Sequence, residues 1–165
     1  MPRETGEGHD LMDVAIEQAK AATPEIVALL DALNAALAGY SNEQRHALSV
    51  DQLFRPNIRF FVVRVGGDAV ACGGIGFYDG YAEIKRMYSK PVVRGRGVAK
   101  ALLARLEAEA RAAGVGLVRI ETGIHQHEAL RFYEAAGYRR RGPFGPYAEM
   151  AASAIETSLF YEKSI

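Results

Sequence analysis

The stretch Arg94-Gly95-Arg96-Gly97-Val98-Ala99-Lys100 constrains the fold more than any other part of the chain. A strand break, a glycine-basic loop and the start of a long amphipathic helix meet there. Upstream, Ala82 to Tyr88 has strand character, and Pro91 stops regular pairing before the loop begins. Downstream, Val98, Leu102, Leu103, Leu106 and Ala110 recur at helical spacing. This predicts a helix that Gly114 ends, with Glu107 four residues before Arg111 on the exposed side. Gly95 and Gly97 let an anion approach the backbone, and the free N–H groups of the first helical turn face that space with the positive end of the helix dipole behind them. Between Lys85 and Lys100 lie six basic residues, Lys85, Arg86, Lys90, Arg94, Arg96 and Lys100, and no acidic one. The chemistry suits a phosphate; the loop by itself also fits a tight turn whose arginines are merely solvated.

With 165 residues, 49% of them hydrophobic and 24% charged, the chain fits one globular domain spanning 1–165, with a loose polar end at about 1–10. The single cysteine, Cys72, excludes an internal disulfide and suits a reducing, cytoplasmic setting. The opening residues carry no apolar core like that of a signal peptide, and no segment is apolar enough to span a membrane. Net charge is +0, which argues against a general attraction to nucleic acid, yet residues 1–53 hold nine acids against three bases.

In chain order, Met12 to Ala19 alternates weakly through Val14 and Ile16 as a first strand, though a helix fits nearly as well. Thr23-Pro24-Glu25 starts a helix with an N-cap, a proline at its first position and an early acid; it carries Ile26, Leu29, Leu30, Leu33 and Leu37 inward until Gly39. Ser41 to Leu53 reads as a second, shorter helical piece. Residues 58–65 and 69–78 form a hairpin across Gly66-Gly67-Asp68, and Asp79-Gly80 turns the chain into a strand over 81–88. After the central helix come a short strand over 116–122 and a helix over 125–136 with the stripe Ala129, Phe132, Tyr133 and Ala136, capped by Gly137. Turn-rich residues 142–147 and a last strand within 156–162 finish the chain. Strands 81–88 and 116–122 are joined through a helix and should lie parallel, in a mixed sheet with helices on both faces.

Three linked blocks resemble the GNAT family of N-acetyltransferases. Arg94, Gly97 and Ala99 meet the pattern Arg/Gln-x-x-Gly-x-Gly/Ala. Met87-Tyr88-Ser89 ends a strand with Pro91 after it. Ala129, Tyr133, Gly137 and Tyr138 match A-x-x-x-Y-x-x-x-G-F with Tyr for Phe. The likeness covers roughly residues 58–140. It implies a GNAT-like α/β (α+β) fold with a mostly antiparallel sheet of six to seven strands and one parallel, splayed strand pair.

The resemblance implies acetyl-CoA as cosubstrate. Arg94, Gly95, Arg96, Gly97, Val98, Ala99 and Lys100 would grip its pyrophosphate, with Lys100 or Arg96 near the 3′-phosphate. Backbone groups at Met87, Tyr88 and Ser89 would pair with the pantetheine arm, and Gln126 stands where many relatives carry a cofactor-binding asparagine. Relatives usually have valine where Ser89 stands. Acetyl transfer needs a neutral amine, so a base must take a proton; Glu83 is the candidate by position, with a salt bridge to Lys85 or Arg86 as its alternative role. Tyr133 matches the family's general acid, which protonates the departing thiolate; core packing beside Phe132 is the alternative. His125 and His127 read as polar loop residues and not zinc ligands. Cys72 reads as a small buried thiol.

The implied reaction moves an acetyl group to a primary amine of a small molecule, amino acid or peptide, by direct attack in a ternary complex. Arg86, Phe144, Tyr147 and Tyr78 are candidates for the acceptor wall. An arginine there suits a carboxylate-bearing amine, whereas the acidic first fifty residues suit a polycation. The pattern leaves open a module that binds or senses acyl-CoA without turnover, and nucleic-acid binding through the 85–100 basic run. No nucleic-acid or membrane partner and no metal is expected, and a homodimer stays compatible with the resemblance.

Overall fold

A computed structural model of the chain describes residues 13–165. Seven strands form one sheet in the order β1-β2-β3-β4-β5-β7-β6. They are β1 (Val14–Ala19), β2 (Ile58–Val65), β3 (Asp68–Tyr78), β4 (Tyr81–Ser89), β5 (Leu117–Gly123), β6 (Arg139–Arg141) and β7 (Ser158–Ser164). Four helices accompany them: α1 (Pro24–Ala36), α2 (Val98–Ala112), α3 (His127–Ala135) and the single turn α4 (Ala152–Ile155). Only β4 and β5 run parallel; every other neighbouring pair is antiparallel. The expected fold class, with its parallel pair, is what the chain adopts. No helix among the described residues is long and apolar enough to cross a membrane.

The period-2 alternation of β2 separates two cores. Phe61 and Val63 face α2 and pack with Val98, Leu102, Leu103, Leu106 and Ala110, all buried as their spacing predicts. Phe60 and Val62 face α1 and pack with Ile26, Leu29, Leu30 and Cys72. A third cluster, Tyr81, Phe144, Tyr147 and Phe160, seals the tail loop onto β4 and β7.

Several expectations need correcting. The helix α1 starts at its Thr23 cap, whose hydroxyl accepts the Ile26 N–H, but it stops at Ala36, short of Gly39. The chain is instead drawn down by Tyr40, whose buried ring delivers its hydroxyl to the His125 N–H at 2.9 Å. That ring occupies the space a Cβ at Gly123 would need, so β5 must end on a glycine. Leu33 and Leu37 are only half-buried and face a cleft.

Residues 42–44 form a turn, 45–49 are irregular, and within this stretch only Asp51–Phe54 winds into a short 3₁₀ turn. Two helix-start boxes compete with propagation: Ser41 and Gln44 bond each other's backbone N–H, and so do Ser49 and Gln52. Between them Arg45 spends its guanidinium on the carbonyls of Tyr40 and Ala38.

Glu107 is buried, 5% exposed, and not on the solvent side of α2. Lys163 Nζ lies 3.0 Å from both of its oxygens, and the Tyr138 hydroxyl donates to it at 3.4 Å. Arg111 is a distant third partner at 4.0 Å. In β6, Arg141 pairs with Glu162 at 2.8 Å and covers the Phe144 ring.

Candidate active site

The parallel pair determines where a ligand can enter. Pairing between β4 and β5 comprises Ala82 with Val118, Glu83 with Arg119 and Ile84 with Ile120, and then stops, although β4 continues to Ser89 and β5 to Gly123. Beyond Ile84, the side of β4 that faced β5 has no strand partner. On its other side a bulge sets Arg86 and Met87 opposite the single residue Gly73, because Cys72 pairs with Tyr88 and Gly74 with Lys85. Arg86 takes up the turn with a left-handed φ of 54°, the only non-glycine among the described residues to do so.

One side of the splay is an open groove of about 990 Å³ lined by Met87, Tyr88 and Ser89, by Arg94, Gly95 and Gly97 to Lys100, and by His125 to Ala129, Arg131, Phe132 and Tyr133. Gly97 is the N-cap of α2 with φ 79°, and no side chain caps that helix end. The first N–H groups of α2 are thus open to an anion. Arg94 is fixed across the mouth: its Nε donates to the Ser89 carbonyl at 3.3 Å and its Nη1 lies 3.6 Å from Glu128. Lys100 lines the rim. Arg96 is exposed and lies outside the lining, so of the two residues expected near a 3′-phosphate only Lys100 borders the groove.

These residues suit a cosubstrate of the length and charge of acetyl-CoA. An unpaired strand stretch matches an amide-bearing arm, and an uncapped helix start flanked by Arg94 and Lys100 matches a pyrophosphate.

The other side is a cavity of about 150 Å³ between the end of α1, residues 40–48, β4 and β5. Tyr133, Gln126, Ala129, Met87 and Leu33 line both spaces and form the passage between them. Tyr133 is 7% exposed, and burial alone pushes its phenol well above the ordinary tyrosine range, so it stays protonated. A buried phenol without a bonded partner among the described residues, at the junction of groove and cavity, is suited to giving a proton.

Glu83 is buried in the cavity wall, 3% exposed. Its Oε1 lies 2.9 Å from Lys85 Nζ, and its Oε2 accepts the Tyr147 hydroxyl at 2.8 Å. The salt bridge to Lys85 considered from the sequence is therefore present, and Tyr147 adds a donor from the tail. Burial, then the charges of Glu83 and Glu121, raise the Tyr147 phenol and keep it a donor.

Of the proposed acceptor wall, Arg86 and Tyr147 line the cavity. Phe144 does not. It is 2% exposed and packs edge-on to Tyr81, Tyr147 and Phe160, a core role that an aromatic in a turn-rich segment does not announce. Tyr78 stacks on Tyr81 outside the lining.

The sequence reading missed four cavity residues: Arg45, His46, Lys85 in a site role, and Glu121. Glu121 lies one residue past the last β4–β5 pair. Its Oε1 accepts the Ser158 hydroxyl at 2.8 Å, and burial foremost raises its pKa. His46 Nε2 is 2.8 Å from the Ala154 carbonyl, which can only accept, so that nitrogen carries the proton. Alternation along 117–123 could have flagged Glu121 as facing the side opposite Val118 and Ile120; nothing local flags His46. Cys72 is fully buried with its thiol pushed up to about 12, chiefly by burial, as a packing residue should be. His125 and His127 border the groove, and no cluster of three metal-ligating side chains exists among the described residues.

The Acetyltransferase (GNAT) family model matches residues 26–138. A relative from Azospirillum brasilense named IAA acetyltransferase is 40% identical over 143 residues, covering 85% of this chain and 90% of its own length. A crystal structure described as an acyl-CoA N-acyltransferase, from Klebsiella pneumoniae, superposes with a TM-score of 0.75 at 34% identity, covering 92% of this chain and 97% of the other. A GNAT family acetyltransferase from Elizabethkingia anophelis with acetyl-CoA bound has the same fold, with a TM-score of 0.68 at 18% identity over 93% of this chain and 99% of its own. A groove beside a splayed parallel pair, an uncapped glycine-led helix and a tyrosine at their junction thus stand in a chain whose sequence and fold both match: it belongs to the GNAT family of acetyltransferases, whose cosubstrate is acetyl-CoA.

Proposed function

We propose that the chain is an N-acetyltransferase that moves the acetyl group of acetyl-CoA to the primary amine of a small molecule, an amino acid or a short peptide, by direct attack in a ternary complex. The observation that carries this is the joining of groove and cavity at Tyr133. A thioester carbonyl at the splay would have an acceptor on one side and a proton donor on the other. The amine attacks the carbonyl carbon and the C–S bond breaks. One amine proton leaves toward the Glu83–Glu121 side of the cavity, and Tyr133 supplies a proton to the departing sulfur. Glu83, bonded by Lys85 and Tyr147, attracts the ammonium form and receives its proton directly or through water. Arg94, Gly95, Gly97 to Lys100 and the β4 backbone at Met87 to Ser89 hold the cosubstrate, with Gln126 at the passage. The chain works as a single domain in the cytoplasm.

Thiol release from acetyl-CoA, followed across a panel of primary amines, tests the reading. Tyr133→Phe is expected to lower kcat by roughly 10²- to 10⁴-fold, with little change in CoA affinity. Glu83→Gln is expected to lower the rate most at neutral pH. Wild-type rates in both variants would remove these roles, and tight CoA binding with no thiol release across the panel would favour an acyl-CoA sensor instead.

A further inference from the structure

Among the described residues the cavity's charges do not balance. Its lining holds three cations, Arg45, Lys85 and Arg86, and two carboxylates, Glu83 and Glu121. Lys85 is neutralised by Glu83 at 2.9 Å. Neither arginine belongs to any ion pair among the described residues. Arg45 is tethered through Nε and Nη2 to the Tyr40 and Ala38 carbonyls, contacts that fix a guanidinium without cancelling its charge.

Arg86 is the more exacting case. Its Nη2 donates to Asn34 Oδ1 at 2.6 Å and to the Leu30 carbonyl at 3.4 Å, which aligns the guanidinium against the inner side of α1. Its Nε and Nη1 are buried with no hydrogen-bond partner among the described residues. Buried polar groups are almost always paired, and an unpaired cationic one is among the costliest arrangements a fold can carry. Burial accordingly weakens its hold on the proton. The cost is compounded by the left-handed backbone at Arg86, at the bulge opposite Gly73. Strain and an unmet donor set at one residue are what a ligand site stores.

Resting on the amine-acetylation reading above, we propose that the acceptor is an amino acid, whose carboxylate is bound by Arg86 with Arg45 beside it while its amine faces the Glu83–Glu121 end of the cavity. A carboxylate supplies the missing acceptors and the missing negative charge together, and a charge-assisted bond in a closed space is stronger than the same bond in water. The cavity of about 150 Å³ suits a small amino acid. A polycationic amine would bring further positive charge to two guanidinium groups that have no counter-ion among the described residues.

The test uses matched acceptors in which a methyl group replaces the carboxylate: alanine against isopropylamine, and β-alanine against n-propylamine. Thiol release should favour the acid-bearing member by about 10- to 100-fold in kcat/KM, the range of a hydrogen bond to a charged group. Arg86→Gln should bring that ratio toward one through KM, and Arg86→Lys should restore part of it. A ratio at or below one in the wild-type protein, or a preference for spermidine over both acids, overturns the inference and leaves amine acetylation standing. A second arm separates the two failures. Propionate, which has the carboxylate and no amine, should bind the CoA-loaded protein in calorimetry and lose that binding in Arg86→Gln. Propionate binding without thiol release from any amine would keep the anion site and remove the acetylation reading; absence of propionate binding counts against the site itself.

Discussion

The Tyr147 hydroxyl donates to Glu83 Oε2 at 2.8 Å, so a residue of the tail loop orients a carboxylate on β4, 64 positions earlier in the chain. The ring is itself anchored edge-on to Phe144, and Lys85 closes the triangle at 3.3 Å from the Tyr147 oxygen. The site therefore depends on the tail being packed. Tyr147→Phe leaves a buried carboxylate with one donor fewer and should cost about 1–3 kcal/mol. That corresponds to roughly 2–4 °C in Tm per kcal/mol for a chain of this size, measurable by calorimetry. CoA affinity should hold, because Tyr147 does not line the groove.

Gly97 has φ 79° with nothing within 4 Å of the position a Cβ would take. Its requirement is conformational and not steric. Gly97→Ala should cost about 1–2 kcal/mol of loop strain and weaken CoA by roughly tenfold, because the strain is relieved by turning the first α2 N–H groups away from the anion. Calorimetric titration of CoA into the variant and the wild type checks both the size and the locality of the effect.

Glu121 gives a pH dependence with a definite sign. Burial raises its pKa above the ordinary 4.5, so the folded chain holds this proton more tightly than the unfolded one. Below pH 4.5 both states are protonated and the group costs nothing. As pH rises, the unfolded chain ionises first, and the wild type loses stability until the folded value is passed. Glu121→Gln, which stays neutral and still accepts from Ser158, should match the wild type in acid and become increasingly more stable toward neutrality. Urea midpoints at pH 4 and pH 7.5 are the measurement; a constant difference at both pH values would refute the assignment.

Glu107 and Lys163 join α2 to β7 through two contacts of 3.0 Å. Removing the lysine as Lys163→Met strands a carboxylate whose side chain is 7% exposed and should destabilise the fold by about 2–4 kcal/mol, slightly under the range for a wholly buried pair because Lys163 is 26% exposed. Converting both, Lys163→Met with Glu107→Leu, should recover most of the loss in denaturant unfolding.

The parts of this molecule that the sequence discloses are those whose determinants lie close together along the chain. The loop 94–100, the inward stripe of α2 and the Tyr133 spacing each sit within one short continuous stretch, and the structure brings them to the groove or the core, Arg96 excepted. What stayed hidden depends on distant partners. Glu107 looks solvent-facing until Lys163 arrives from the last strand. Glu121 gains its role from Ser158 and from the early end of β4–β5 pairing. Residues 41–50 have the start signals of a helix twice over, yet Arg45 reaches back to Tyr40 and Ala38 after the first, and the second extends only into the short 3₁₀ turn Asp51–Phe54. Phe144 has a wall residue's position in sequence and a core residue's surroundings.

The early end of the β4–β5 ladder has one more consequence. Three register positions are all that hydrogen-bond the four-stranded half of the sheet, β1 to β4, to the three-stranded half, β5, β7 and β6. The unliganded protein is two half-sheets stitched along a short seam, with α2 as the covalent bridge between them. A ligand that pairs with β4 beyond Ile84 lengthens that stitching from outside the chain. Amide exchange along β4 and β5 should thus slow together when the groove fills, and the protein's heat resistance becomes a gauge of how much cosubstrate surrounds it.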